Sequence, residues 1–295
     1  SVRGLVRRHV TEDTVRAAVE VEQEQLPSWW PRLAEQGLLG LHLPEAVGGS
    51  GFGLVELAVV VEETGRALVP GPFVPTVLAS AVLDAASHTR FLEGLVAGTS
   101  TGAVDLAGER TALTGRFDGD SLVVDGTSTA IIGGQLADLF VLPVRVDDSL
   151  AWVVLERSGV EVASGHSHDL TRRLAAVTVS GLAVPRGDVL DLVAQRPRDI
   201  AAVLFAAEGA GMADWATATA AEYAATREQF GRAIGQFQGV KHRVARMLVG
   251  TEQARACAWD AARAADGVGG NEASLAAATA AAIAVPATLE VVKGL

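Results

Sequence analysis

Residues 121–146 read SLVVDGTSTAIIGGQLADLFVLPVRV. Valine, isoleucine, leucine and threonine fill two runs, residues 121–132 and 138–146, with a glycine-containing break between them. Short runs of β-branched residues bounded by turn residues predict strands. Working outward, Asp118-Gly119-Asp120 and Asp147-Asp148-Ser149 are turn clusters, and residues 150–156, 160–163 and 174–184 carry the same strand signal. The short connections predict an antiparallel sheet or barrel and argue against alternating β-α units.

On either side the period changes to helical. Residues 54–68, LVELAVVVEETGRAL, are apolar around most of a helical surface, as expected of a helix buried against others. Pro70, Pro72 and Pro75 break that pattern, and a second apolar helix is expected over residues 77–86. After the strands, Asp199 is placed to cap a helix running to Tyr223, and a loop is expected over residues 231–235. Val240, Val244, Met247, Thr251, Ala254 and Ala258 then share one helical face, and a third helix begins near Asn271. The expected fold is a multi-domain α+β protein: an N-terminal helical domain (1–97), a central β domain (98–194) and a C-terminal helical bundle (195–295).

The chain has 295 residues, 49% of them hydrophobic, which excludes intrinsic disorder. With 24 basic and 35 acidic side chains the net charge is −11, so nucleic acid is not an expected partner. The one cysteine, Cys257, excludes a disulfide framework and a cysteine-rich zinc site, and is expected to be buried. No targeting segment is expected. The longest uncharged stretch, residues 275–289, is interrupted by Pro286 and reads as a buried helix, so a soluble cytoplasmic protein without a membrane span is expected.

Several chemistries find no motif. The glycines at 48, 49, 51 and 53 do not form G-x-G-x-x-G, no Gly-Lys pair marks a P-loop, and Gly49-Ser50-Gly51 lacks nucleophile-elbow spacing. His166, His168 and Asp169 lie together, but without further spaced ligands no metal site is assigned. One turn stands out. From Arg227 to Arg246 five basic residues (Arg227, Arg232, Lys241, Arg243, Arg246) face one acid, Glu228. A guanidinium fork beside a helix N-terminus suits a pyrophosphate. Phe230 could cover an aromatic ring and Gln238 could donate to or accept from a ribose or adenine. The same turn also suits a solvated charged surface packed on a core phenylalanine.

The string REQFGRAIGQFQGVKH, residues 227–242, resembles the signature of the acyl-CoA dehydrogenase family. Residues 37–45 (GLLGLHLPE) with the glycines at 48–51, Asp169-Leu170-Thr171-Arg172-Arg173, and Val184-Pro185 with Val189-Leu190 agree in order and spacing. The resemblance implies an FAD enzyme that removes a proton from Cα and a hydride from Cβ of an acyl-CoA, giving a trans-2-enoyl-CoA. It implies a homo- or hetero-oligomer, dimer or tetramer, and an electron-transfer acceptor. It places Arg227 on the FAD pyrophosphate, Phe230 against the cofactor and Gln238 on its adenosine half, commonly in a neighbouring subunit's site.

The sequence departs from the family at three points. Val104-Asp105-Leu106-Ala107-Gly108 replaces the usual Glu-Pro-x-Ala-Gly-Ser-Asp loop, and Ala130-Ile131-Ile132-Gly133 replaces an aromatic-Ile-Thr or -Ser flavin contact. No catalytic base is assigned: the spacing puts Ala201-Ala202 where some members carry it, Asp199 reads as a cap and Glu208 lies mid-helix. The family pattern continues past three C-terminal helices to a fourth and to the usual carboxylate. The sequence therefore reads as a piece of a longer chain or as a half that leaves catalysis to a partner. Residues 68–83 and 133–144 resemble bacterial dehydrogenases of steroid side-chain CoA thioesters, built from paired or fused non-identical halves. The expected activity is dehydrogenation of a bulky acyl-CoA. Its alternatives are a silent partner completing a neighbour's flavin site, or a flavin monooxygenase or oxidase on the same fold.

Overall fold

The computed structural model describes residues 2–267 and 270–295. The helices before the sheet are α1 (Val2–His9), α2 (Glu12–Glu20), α3 (Trp30–Glu35), α4 (Leu54–Arg66), α5 (Phe73–Ala85) and α6 (Leu92–Val96). Eight strands follow: β1 (Gly102–Val104), β2 (Thr114–Asp118), β3 (Ser121–Ile132), β4 (Leu139–Val146), β5 (Ser149–Glu156), β6 (Glu161–Ser164), β7 (Leu174–Pro185) and β8 (Val189–Leu190). Then come α7 (Arg196–Thr226), a two-strand hairpin of β9 (Glu228–Gln229) and β10 (Arg232–Ala233), α8 (Gln238–Gly267) and α9 (Gly270–Gly294).

The expected helical–β–helical order is the observed one. The sheet runs β6-β7-β3-β2-β4-β5-β8 and is mixed, because β1 pairs with β4 in parallel and β2 meets β4 in parallel at Thr114 and Arg145. The sheet is antiparallel in most of its pairs, as expected; the parallel pair arises because β1 is separated from β4 by the long β2–β3 excursion, and a parallel pair needs such a crossover. The consecutive hairpins β2–β3 and β4–β5 are antiparallel, with Gly119 and Asp147 at positive φ as tight two-residue turns require. Phe140, Leu142, Val153 and Val177 centre the apolar core of the sheet.

Several boundaries are corrected. α5 begins at Phe73, not after Pro75, and is buried on every side over Phe73–Leu83. Proline is tolerated in a first turn, where the N–H it lacks has no helical acceptor. α7 begins at Arg196, so Asp199 lies in its first turn and is not the cap. The expected loop at 231–235 is instead β10 with a short 3-10 turn at Ile234–Gln236. α9 is not a buried helix: Ala273, Ala277, Ala280 and Ala284 are buried, while Leu275, Val285 and Leu289 are exposed. Among the described residues α9 is one helix long and apolar enough to cross a membrane by length and composition. Cys257 is half-buried, not buried.

The chain separates into two compact units. One comprises Ser1–Thr11, Leu54–Val69 and Ala201–Leu295; the other comprises Glu12–Gly53 and Pro70–Ile200. In the first, α4 crosses α7 at two glycines. A Cβ on Gly211 would lie 1.9 Å from the Glu62 carbonyl oxygen, and one on Gly65 would lie 2.3 Å from that of Glu208. This close approach brings Glu62 to α8, where its carboxylate accepts from Arg255 Nε at 2.8 Å and Trp259 Nε1 at 3.1 Å. Arg255 also donates to Asp214 at 2.9 Å, and Asp214 pairs with Arg66. The first N–H groups of α4, on Leu54 and Val55, donate to the Asp266 carboxylate at 2.8 and 2.9 Å. A carboxylate at a helix N-terminus satisfies unpaired donors and meets the positive end of the dipole.

Candidate functional site

Two regions carry the candidate residues, one in each unit. In the C-terminal helical unit, α7 ends at Thr226 and the chain reverses through the β9–β10 hairpin, with Arg232 opposite Gln229 and Ala233 opposite Glu228. The two turn residues, Phe230 and Gly231, have φ of 53° and 76°. Glycine accepts that conformation readily, whereas a bulky phenylalanine is strained in it. The turn lifts Phe230 into solvent at 92% exposure, and its ring meets Phe237 edge-on at 6.1 Å. The Arg232 guanidinium lies over Phe237 at 4.2 Å.

Arg227 is fixed by its backbone: its N–H donates to Tyr223 and its carbonyl accepts from Ile234, both at 2.8 Å. Its exposed guanidinium has no partner among the described residues, so all its donors are available. Gln238 opens α8 with its side chain exposed. A cavity of 570 Å³ floored by Ala224, Val240 and Val244 adjoins this turn. Arg227 and Phe230 at the hairpin and Gln238 at the start of α8 are thus three exposed groups along the α7–α8 connection. An unpaired planar cation, an exposed ring and an amide fit a pyrophosphate with an attached aromatic base.

The second region lies in the sheet unit. Along β3, Leu122, Val124 and Ser128 point inward, as a strand period requires, but the register on β7 shifts between Ser128 and Ile131. The bulge turns Ile131 inward and leaves Ala130 exposed at φ 66°. Ser128 donates to the buried Asp105 carboxylate at 2.5 Å, and Ala107 N–H donates to its other oxygen at 2.7 Å. Burial raises the Asp105 carboxyl above its usual range, against the pull of these two bonds. Strand periodicity flags Ser128 as a polar residue at an inward position, but not its partner. Ala130 offers no ring, Ile131 is buried, and Asp105 and Ser128 are committed to each other. This region does not fit the flavin contact that the family resemblance implies.

Beside this segment, Gly133 N–H donates to the Arg173 carbonyl at 3.0 Å. Asp169 accepts from Thr171 N–H and Oγ1, which closes the 169–173 turn. Glu24 accepts the Arg173 N–H at 3.2 Å, an interaction with no signal in the sequence. Asp199 is buried in the first turn of α7, where Gln195 Nε2 donates to it at 3.1 Å, and Glu208 is buried mid-helix. No group of three metal-ligating side chains occurs among the described residues.

Both ends of the chain match family models: residues 1–99 match the N-terminal domain and residues 193–293 the C-terminal domain of acyl-CoA dehydrogenase. Acyl-CoA dehydrogenase FadE34 of Mycobacterium tuberculosis is 35% identical over 296 residues, covering 97% of this chain and 40% of its own length. This chain therefore spans about two fifths of that relative. Acyl-CoA dehydrogenase IpdE2 of Mycolicibacterium smegmatis is 34% identical over 261 residues, covering 88% of this chain and 74% of its own. Among solved structures, the Tcur3481-Tcur3483 steroid ACAD superposes with a TM-score of 0.90 at 29% identity, over 99% of this chain and 83% of that one. The ChsE4-ChsE5 complex from Mycobacterium tuberculosis gives 0.91 at 26% identity, over 99% and 82%. With the fold and both terminal models in agreement, the chain belongs to the acyl-CoA dehydrogenase family, whose members use FAD.

Proposed function

We propose that this chain serves in an FAD-dependent dehydrogenase of bulky acyl-CoA thioesters, as a subunit or half of an oligomer. The observation that carries it is the unpaired, exposed Arg227 guanidinium on the hairpin that carries Phe230 and leads to Gln238 at the start of α8. When bound, FAD supplies the hydride acceptor for oxidation of the Cα–Cβ bond, with electrons passing on to a separate acceptor. Arg227 would hold the pyrophosphate by a bidentate fork, Gln238 would hydrogen-bond the adenosine half, and Phe230 would exclude water from the cofactor. No carboxylate of this chain is assigned as the base that removes the α proton. The bulky, steroid-like acyl group is supported by the likeness to a steroid ACAD.

Arg227→Ala is expected to lower FAD content in the purified assembly with little change in melting temperature. Unchanged occupancy would remove Arg227 from the site. A second reading is favoured by Ala130, which leaves the sheet unit without an aromatic flavin contact. In it, this chain completes the flavin site of a partner and holds no flavin of its own. A protein that is yellow when purified alone and bleached by acyl-CoA supports the first reading. Acquisition of flavin only with a second chain supports the other.

A further inference from the structure

Two segments of the sheet unit converge on Arg173. Its guanidinium donates to the carbonyls of Glu22, at 2.6 Å, and Val21, clasping the strap between α2 and α3. Its N–H donates to Glu24 Oε2, and its carbonyl accepts the N–H of Gly133. The strap is held at its other end too. Pro27 packs on Gly71, whose N–H donates to the Thr171 carbonyl at 2.9 Å in the same 169–173 turn. Glu24 Oε1 and Arg173 Nε are buried without partners among the described residues, so the carboxylate meets the turn through a single hydrogen bond.

We propose that Glu24 is a positioning residue for residues 130–133, coupling the 21–27 strap through Arg173 to the bulged end of β3. The charged groups facing Glu24 are Arg173, Arg172 and Asp169 from the turn. Burial pushes the Glu24 carboxyl from 4.5 up to about 7, against the lowering effects of the Arg173 N–H and charge. A carboxyl raised in this way favours the clasped state below its unfolded value and loses that contribution as pH rises through about 7. The strap and Gly133 therefore loosen together toward alkaline pH.

Hydrogen exchange of the full chain, measured without FAD and corrected for the intrinsic pH dependence of exchange, tests this. Protection of the Arg173 and Gly133 amides is expected to fall about tenfold between about pH 6 and about pH 8. In Glu24→Gln, which keeps an acceptor but cannot ionise, the fall is expected to vanish. In Glu24→Ala both amides are expected to exchange fast throughout. A Glu24→Gln profile matching the wild type overturns the proposal, as does a Gly133 amide indifferent to pH while Arg173 responds. If neither variant folds, a flat wild-type Gly133 profile overturns it alone. Failure of FAD to bind would sink the functional reading and leave these exchange profiles unaffected.

Discussion

Ala130 sits where an L-residue pays for its Cβ: at φ 66°, exposed, on a bulge that directs Ile131 into the core. The left-handed region costs an alanine about 1–2 kcal/mol. Ala130→Gly is therefore expected to stabilise the protein by about 1 kcal/mol in denaturant melts, and a loss of stability would show that the methyl group packs usefully. His42 carries a different strain. Ser80 donates its proton to the Val77 carbonyl, so His42 Nε2–H must donate to Ser80 Oγ, at 3.1 Å. Nδ1 is left a buried acceptor without a partner among the described residues. Burial depresses this imidazole from 6.5 to about 4, so the unfolded chain binds the extra proton first on acidification. Stability is expected to fall by up to about 3 kcal/mol between about pH 6.5 and about pH 4, and His42→Gln is expected to flatten that part of the profile. An unchanged profile in the variant would assign the acid sensitivity elsewhere. Neither feature is visible in the sequence, because both depend on partners brought together by folding.

At the scale of elements, the α4–α7 crossing is set by two missing side chains. Gly211→Ala would force a methyl group into the Glu62 carbonyl at 1.9 Å and the Arg66 amide at 2.7 Å, both backbone atoms that cannot swing aside. A destabilisation of roughly 3 kcal/mol is expected, seen as a lowered denaturation midpoint; a neutral result would mean the helices can part. Strands β3 to β7 were readable because a period of two and turn residues act locally, whereas the short, unevenly exposed β1 and β2 were not. So were α4 and α8, whose apolar faces repeat at helical spacing. The start of α5 was hidden because three prolines suggest a break, while a first turn tolerates them. The fate of α9 was hidden for another reason. An alanine-rich run specifies a helix, but which face finds a neighbour is decided by helices distant in sequence. The Arg227 turn was readable as basic and glycine-containing, but its hairpin and the outward Phe230 were not. The Glu24–Arg173 clasp joins residues far apart in the chain and left no local trace.

For the whole molecule, α9 shows Leu275, Val285 and Leu289 each more than half exposed, while its alanine stripe is buried. Contiguous apolar surface of this kind marks association. Native mass spectrometry at micromolar protein is expected to show species containing more than one chain; a spectrum of monomer alone would count against an oligomer. The Asp266 carboxylate that closes the first turn of α4 has a consequence during synthesis. Its two acceptor oxygens arrive some 211 residues after the amides they satisfy. At ~5–20 residues per second, the ribosome needs roughly 10–40 s to deliver them. Throughout that interval α4 emerges with its leading amides uncapped and Glu62 without the arginine that neutralises it. The discontinuous unit thus cannot close until α8 has been made, and a nascent chain stalled before residue 255 offers chaperones an apolar helix carrying an unpaired charge.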